Sequence, residues 1–135
     1  MLDSEIISRI RMFVFGITGA LCLLYAVMSF VTGHPEPFPF WIPGVSGIIA
    51  FLVLWGTSFA AGTKHADMAW DEGYAADARR AAGLAFWVGI FLYPLFGLLL
   101  SQGVVDWPVA FAVMGTLTPA AYLLLLVSFD RQGRT

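Results

Sequence analysis

Four apolar stretches, each about as long as a bilayer is thick, divide this chain and restrict its fold more than any other feature. A helix needs about 20 mainly apolar residues to cross the hydrocarbon core. The stretches are "IRMFVFGITGALCLLYAVMSFVT" (about 10–32), "WIPGVSGIIAFLVLWGTSFAA" (about 41–61), "AAGLAFWVGIFLYPLFGLLLS" (about 81–101) and "WPVAFAVMGTLTPAAYLLLLVSF" (about 107–129). They contain no Asp, Glu, Lys or His, and their one Arg, Arg11, stands at the first boundary, so no buried charge is expected. Only 12% of the 135 residues are charged and 59% are hydrophobic, which leaves too little polar surface for a water-soluble globule. The expected fold is all-α: one four-span membrane domain over residues 1–135, an integral membrane four-helix bundle of two hairpins. Arg9 and Arg11 precede the first stretch as they would in a signal peptide. That run is longer than an h-region of roughly 7–15 residues, so the segment is expected to be retained.

Basic residues set the expected orientation. Arg9 and Arg11 precede the first stretch, Lys64, Arg79 and Arg80 lie between the second and third, and Arg131 and Arg134 follow the fourth. The connections "GHPEPFPF" and "QGVVD" hold no Lys or Arg. All seven basic residues thus fall on one side of a four-span chain. The positive-inside rule places that side, with both termini and the connection at about 62–80, in the cytoplasm. Multi-pass insertion in a cell inner membrane is the expected location. Phe38, Phe40, Trp41 and Trp107 suit an outer aromatic belt, and the prolines of "HPEPFPFWIP" favour an extended path.

The cytoplasmic connection carries "KHADMAWDEGYAADARR". It is rich in helix formers, with acids early, where a helix N-terminus favours them, and Asp67 is a reasonable N-cap. A helix is expected to run from here into the third stretch, either continuously or with a kink near Gly83; Gly73 is its weak point. Trp70, Tyr74, Ala78, Ala81 and Ala85 share one face at near-helical spacing, and Asp77 can pair with Arg80. Trp70, Tyr74, Arg79 and Arg80 are the candidate contacts with lipid headgroups or a partner.

This segment also carries a resemblance. Asp71 and Glu72, followed by Arg79, Arg80, Ala81 and Ala82 on the way into the third stretch, resemble small bacterial four-span membrane proteins of a domain-of-unknown-function type. Their inner loop bears a "DER…A"-like segment, and here Gly73 stands in place of the basic residue. The resemblance implies a four-span architecture with a cytoplasmic helix before span three, and no assigned activity.

Several chemistries find no residues to support them. His34 and His65 lie outside the apolar stretches and on opposite sides, against a bis-His haem or a two-His metal site. Cys22 is the only cysteine, and no acid, His or Lys stands inside a span to relay protons. No cofactor, no metal, no nucleic-acid partner and no catalytic residue are expected. His34 could still ligate a pigment metal. Pro94 and Pro119 fall near the middle of the third and fourth stretches and are candidate kinks, with Thr116 and Thr118 placed to satisfy freed backbone groups. Close helix approach is expected at Gly16 with Ala20, at Gly44, Gly47 and Ala50, at Gly56 with Ala60, and at Gly115 with Pro119. "RMFVFGITGALCLLY" and "RRAAGLAFWVGIFLY" both run from Arg to Tyr over fifteen residues, which a duplicated hairpin or a chance match of apolar strings would produce. The leading expectation is a non-catalytic accessory or scaffold subunit packing against a larger bacterial membrane complex. The alternative is a small homo-oligomeric transporter or channel for an apolar or neutral solute. The expected partners are the lipid bilayer and a membrane protein, foreign or a second copy.

Overall fold

The computed structural model describes residues 4–62 and 72–132. Among them the chain forms four helices: α1 (Ser4–Thr32), α2 (Trp41–Ala61), α3 (Glu72–Ser101) and α4 (Trp107–Gln132). Three are long and apolar enough to cross a membrane, over Glu5–Thr32, Gly73–Ser101 and Trp107–Gln132; the apolar portion Trp41–Thr57 of α2 is shorter. The architecture is an all-α helical bundle of the kind that multi-pass membrane proteins form.

Local chemistry fixes where the helices stop. At the end of α3, Gly103 takes a left-handed φ of 73°. Its N–H reaches the Leu100 carbonyl, and the Val104 N–H reaches that of Leu99. These two bonds satisfy carbonyls that the helix leaves open, in the Schellman arrangement. Asp106 then starts α4: its Oδ1 accepts the Val109 N–H at 3.4 Å. Pro108, in that first turn, lacks a donor where none is needed. Asp67, the expected cap of the connecting helix, lies outside the described residues. The described part of that helix begins at Glu72 and continues through Gly83 and Pro94 to Ser101 without interruption.

The helices do not close into a symmetric square. α1 packs along α4, α4 along α3, and α2 along α1 alone among the principal pairings. One core lies towards the ends of α1 and α3 and the start of α4, where Ala26, Leu92, Phe96, Val109, Ala110 and Val113 are buried together. A second lies at the opposite end, around Ala81, Leu126 and Phe129, with Phe15, Tyr74, Ala78 and Tyr122 against it. Tyr74, Ala78, Ala81 and Ala85 do share a face, and it turns inward, with Ala81 and Ala85 buried. A duplicated hairpin would pair α2 with α3 as α1 pairs with α4. The described residues show no comparable α2–α3 contact, so the packing lacks that symmetry.

The tightest approach occurs at Gly19, where an added Cβ would lie 3.1 Å from the Leu123 Cβ and from Leu124. Association inside a membrane rests on packing rather than on expulsion of water, so such a contact matters. The expected pairs only partly coincide with it. Gly16, Gly44, Gly56 and Gly115 each face open space, whereas Gly47 meets Thr18 at 3.9 Å and Ala50 is buried. α2 is thus held to α1 through Pro43, Ser46, Gly47, Ala50 and Leu54, including a 2.9 Å hydroxyl contact between Thr18 and Ser46. On its other faces Ile48, Phe51, Leu52, Trp55 and Phe59 are all exposed.

Candidate functional site

The ends of three helices meet in a polar cluster. Arg11 stands on α1 in phase with Ile7, Thr18, Cys22, Tyr25 and Ser29, all buried, so its side chain enters the bundle. Its relative exposure is 2%. There Nη2 donates to Asp130 Oδ2 at 2.9 Å, and Nε approaches the same oxygen at 3.3 Å. The expectation of no buried charge is therefore corrected. Arg11 and Asp130 lie at the boundaries of stretches that read as uncharged, and the fold carries them inward together. A lone buried charge is strongly unfavourable, whereas a hydrogen-bonded pair offsets much of that cost. Arg9, two residues earlier, points elsewhere and pairs with Glu5 at 2.6 Å on the exposed surface.

Aromatic rings complete the cluster. The Arg11 guanidinium carbon lies 3.9 Å from the centre of the Tyr74 ring, and that of Arg80 lies 4.2 Å from the centre of Phe129. Each pair among α1, α3 and α4 is thus joined by one charge-bearing contact: Arg11 to Asp130, Arg11 to Tyr74, and Arg80 to Phe129. Cation–ring contacts are worth about 0.5–1 kcal/mol when exposed and about 2 or more when desolvated.

The residues expected to meet headgroups or a partner divide here. Trp70 lies outside the described residues. Tyr74 is half-buried, with its ring against Arg11 and the core of its own chain. Arg79 is exposed, while Arg80 is exposed yet lies along Phe129. The expected Asp77–Arg80 pair is not among the ion pairs of the described residues; the ring draws the guanidinium across to α4 instead. Pro94 and Pro119 both sit at exposed positions inside continuous helices. Thr116 donates to the carbonyls of Ala112 and Val113, and Thr118 to that of Met114. The carbonyl that Pro119 leaves without its helical donor belongs to Gly115, so the threonines do not relieve it. A helical Thr hydroxyl reaches back three or four residues, and Thr118 takes the four-residue option.

At the opposite end, the proline-rich connection is strapped to α1. Ser29 Oγ donates to the His34 carbonyl at 2.7 Å, and the Tyr25 hydroxyl to the Pro35 carbonyl at 2.9 Å. Phe38 meets Tyr25 edge to face at 5.0 Å. The Phe40 N–H donates to Glu36 Oε1 at 3.1 Å, just before α2 begins. Beside this strap a cleft of about 540 Å³ opens between the starts of α2 and α4. Phe40, Trp41 and Trp107 remain exposed around this end, as an interfacial belt requires. The strap and the cleft escaped sequence reading; the signal available was the pairing of Tyr25 and Ser29 on one face of α1, four residues apart.

Among the described residues no group of three or more His, Cys, Asp or Glu could hold a metal ion. Cys22 is buried and unpaired by disulfide. Three helices long and apolar enough to cross a membrane make this a helical bundle of the multi-pass membrane type. No protein-family model, curated protein or solved structure matches the chain.

Proposed function

We propose that this chain is a non-catalytic accessory or scaffold subunit that crosses a bacterial inner membrane four times and packs against a larger membrane complex through α2. In this reading both termini and the 62–80 connection are cytoplasmic, in accord with the one-sided distribution of the seven basic residues. The resemblance to small bacterial four-span proteins points the same way. The observation that carries the proposal is the position of α2. Among the described residues three helices share cores and are clamped to one another, while α2 rests chiefly on α1. The whole helix of 21 residues is about 30 Å long, the thickness of the hydrocarbon layer, although its apolar portion Trp41–Thr57 is shorter than the spans of the other three helices. It offers Trp55 stacked on Phe59, and Leu52 and Ile48 one and two turns before Trp55, as a preformed ridge. Large aromatic and aliphatic side chains on a rigid helix lose little freedom when a partner covers them.

A photo-crosslinking residue in place of Trp55, compared with one in place of Phe86 on the exposed face of α3, tests this. The account expects one discrete protein adduct from α2 and mainly lipid adducts from α3. Equal lipid labelling at both positions would contradict it. Adducts only between copies of this chain would favour the alternative, a homo-oligomeric transporter or channel.

A further inference from the structure

We infer that the cleft between α2 and α4 binds a monovalent organic cation with an apolar body. The inference stands apart from the scaffold proposal and needs no partner protein. Among the described residues α2 leans chiefly on α1, and the cleft opens between the starts of α2 and α4 beside Tyr25 of α1. Tyr25, Phe40 and Phe111 line it, and so does Glu36. Gly115 lines it too, and a Cβ there would meet no atom within 4 Å, so the glycine leaves the cleft open. At about 540 Å³ the space lies within the range of roughly 300–1,000 Å³ typical of ligand sites.

Charge selects the occupant. Glu36 is exposed, and the Phe40 N–H donates to its Oε1 at 3.1 Å, which orients the carboxylate beside the cleft. The connections at this end carry Glu36 and Asp106 but no Lys or Arg, and all seven basic residues lie elsewhere in the sequence. Among the described residues Glu36 has no basic partner. The hydroxyl donors of the lining are already engaged: Tyr25 donates to Pro35, and Thr116 to Ala112 and Val113. What remains is an apolar slot with aromatic faces and one carboxylate. Aromatic faces attract cations, and an ammonium group answers an unpaired carboxylate. An anion would meet Glu36 and no Lys or Arg in the lining, and a zwitterion would gain at one end what it loses at the other.

The test uses the full chain in phosphatidylcholine nanodiscs, with empty nanodiscs as the background. The probes are 4-phenylbutyl-trimethylammonium and its uncharged isostere, in which carbon replaces the nitrogen, followed by equilibrium dialysis. The expected result is saturable binding of the cation above background, at least tenfold tighter than the isostere. Glu36→Gln keeps an acceptor for the Phe40 N–H and should weaken cation binding about tenfold. Gly115→Leu should fill the cleft and abolish binding of both probes. Unchanged melting temperatures of the two variants would show that the fold survives; a variant that unfolds is replaced by Glu36→Ala or Gly115→Val. Absence of saturable binding, equal affinity for the isostere, or retention of cation affinity in Glu36→Gln overturns the inference. Displacement of the cation by a phosphocholine amphiphile at equal concentration overturns it as well, because the cleft would then accept a zwitterion.

Discussion

Arg11 and Asp130 are 119 positions apart in sequence, yet a 2.9 Å hydrogen bond joins them inside the bundle. The pair brings the first turns of α1 to the last turn of α4 and makes the chain's two ends one structural unit. Removing one partner from a buried pair typically costs about 3–5 kcal/mol, while replacing both by apolar residues is often neutral. Asp130→Ala should therefore lower bundle stability by about 3 kcal/mol or more, and Arg11→Met combined with Asp130→Leu should recover most of it. Unfolding in mixed micelles with increasing denaturing detergent measures both. Additive losses in the double variant would mean that the two residues act independently.

Tyr74 contributes through its ring. Its face lies 3.9 Å from Arg11, so Tyr74→Phe keeps the contact and Tyr74→Leu loses it. The account expects Leu to lose about 1–2 kcal/mol more than Phe, because only Phe keeps a ring face for Arg11. In the Arg11→Met background the difference between Phe and Leu should shrink. A difference of unchanged size there would assign the effect to packing alone.

Gly19 and Gly16 are alike in sequence and opposite in consequence. Gly19→Ala should destabilise by about 1–3 kcal/mol, because its Cβ would press on Leu123 and Leu124. Gly16→Ala meets open space and should be neutral, or stabilise by up to about 1 kcal/mol through helix propensity. The same detergent titration decides; the reverse order of the two would contradict the α1–α4 packing.

These contrasts show what the sequence made legible. Helix extents followed from uninterrupted apolar runs separated by the connections "GHPEPFPF" and "QGVVD". Most of them, including Trp41–Ala61 and the stop at Ser101, could be read directly. That Tyr74, Ala78, Ala81 and Ala85 share a face followed from spacing; that this face turns inward did not, since Tyr74 was expected at headgroups or a partner. Which helices touch did not, because every stretch is apolar on all sides and hydropathy then carries no face information. Arg11 was legible only as a boundary charge. Its phase with Thr18, Cys22, Tyr25 and Ser29 distinguishes it from Arg9, but nothing local names Asp130 as the partner. Gly19 could not be told from Gly16 without knowing that Leu123 and Leu124 lie opposite.

Topology can be checked without a partner. A cysteine at Ala76 in a Cys22→Ala background should resist a membrane-impermeant thiol reagent applied to intact cells and react after lysis. Replacing both Arg79 and Arg80 by Glu should give mixed orientation or poor insertion, since Lys64 alone then remains in the central connection. Efficient labelling from outside, or a single unchanged orientation in the double Glu variant, would count against the respective claim.

The mass and composition of the particle extracted in mild detergent test the scaffold proposal most directly. Native mass spectrometry should find this chain with a different membrane protein in a fixed ratio. Replacing Ile48, Leu52 and Trp55 with Ala should release the chain as a folded monomer. A pure oligomer of this chain, undisturbed by those three substitutions, would contradict the proposal.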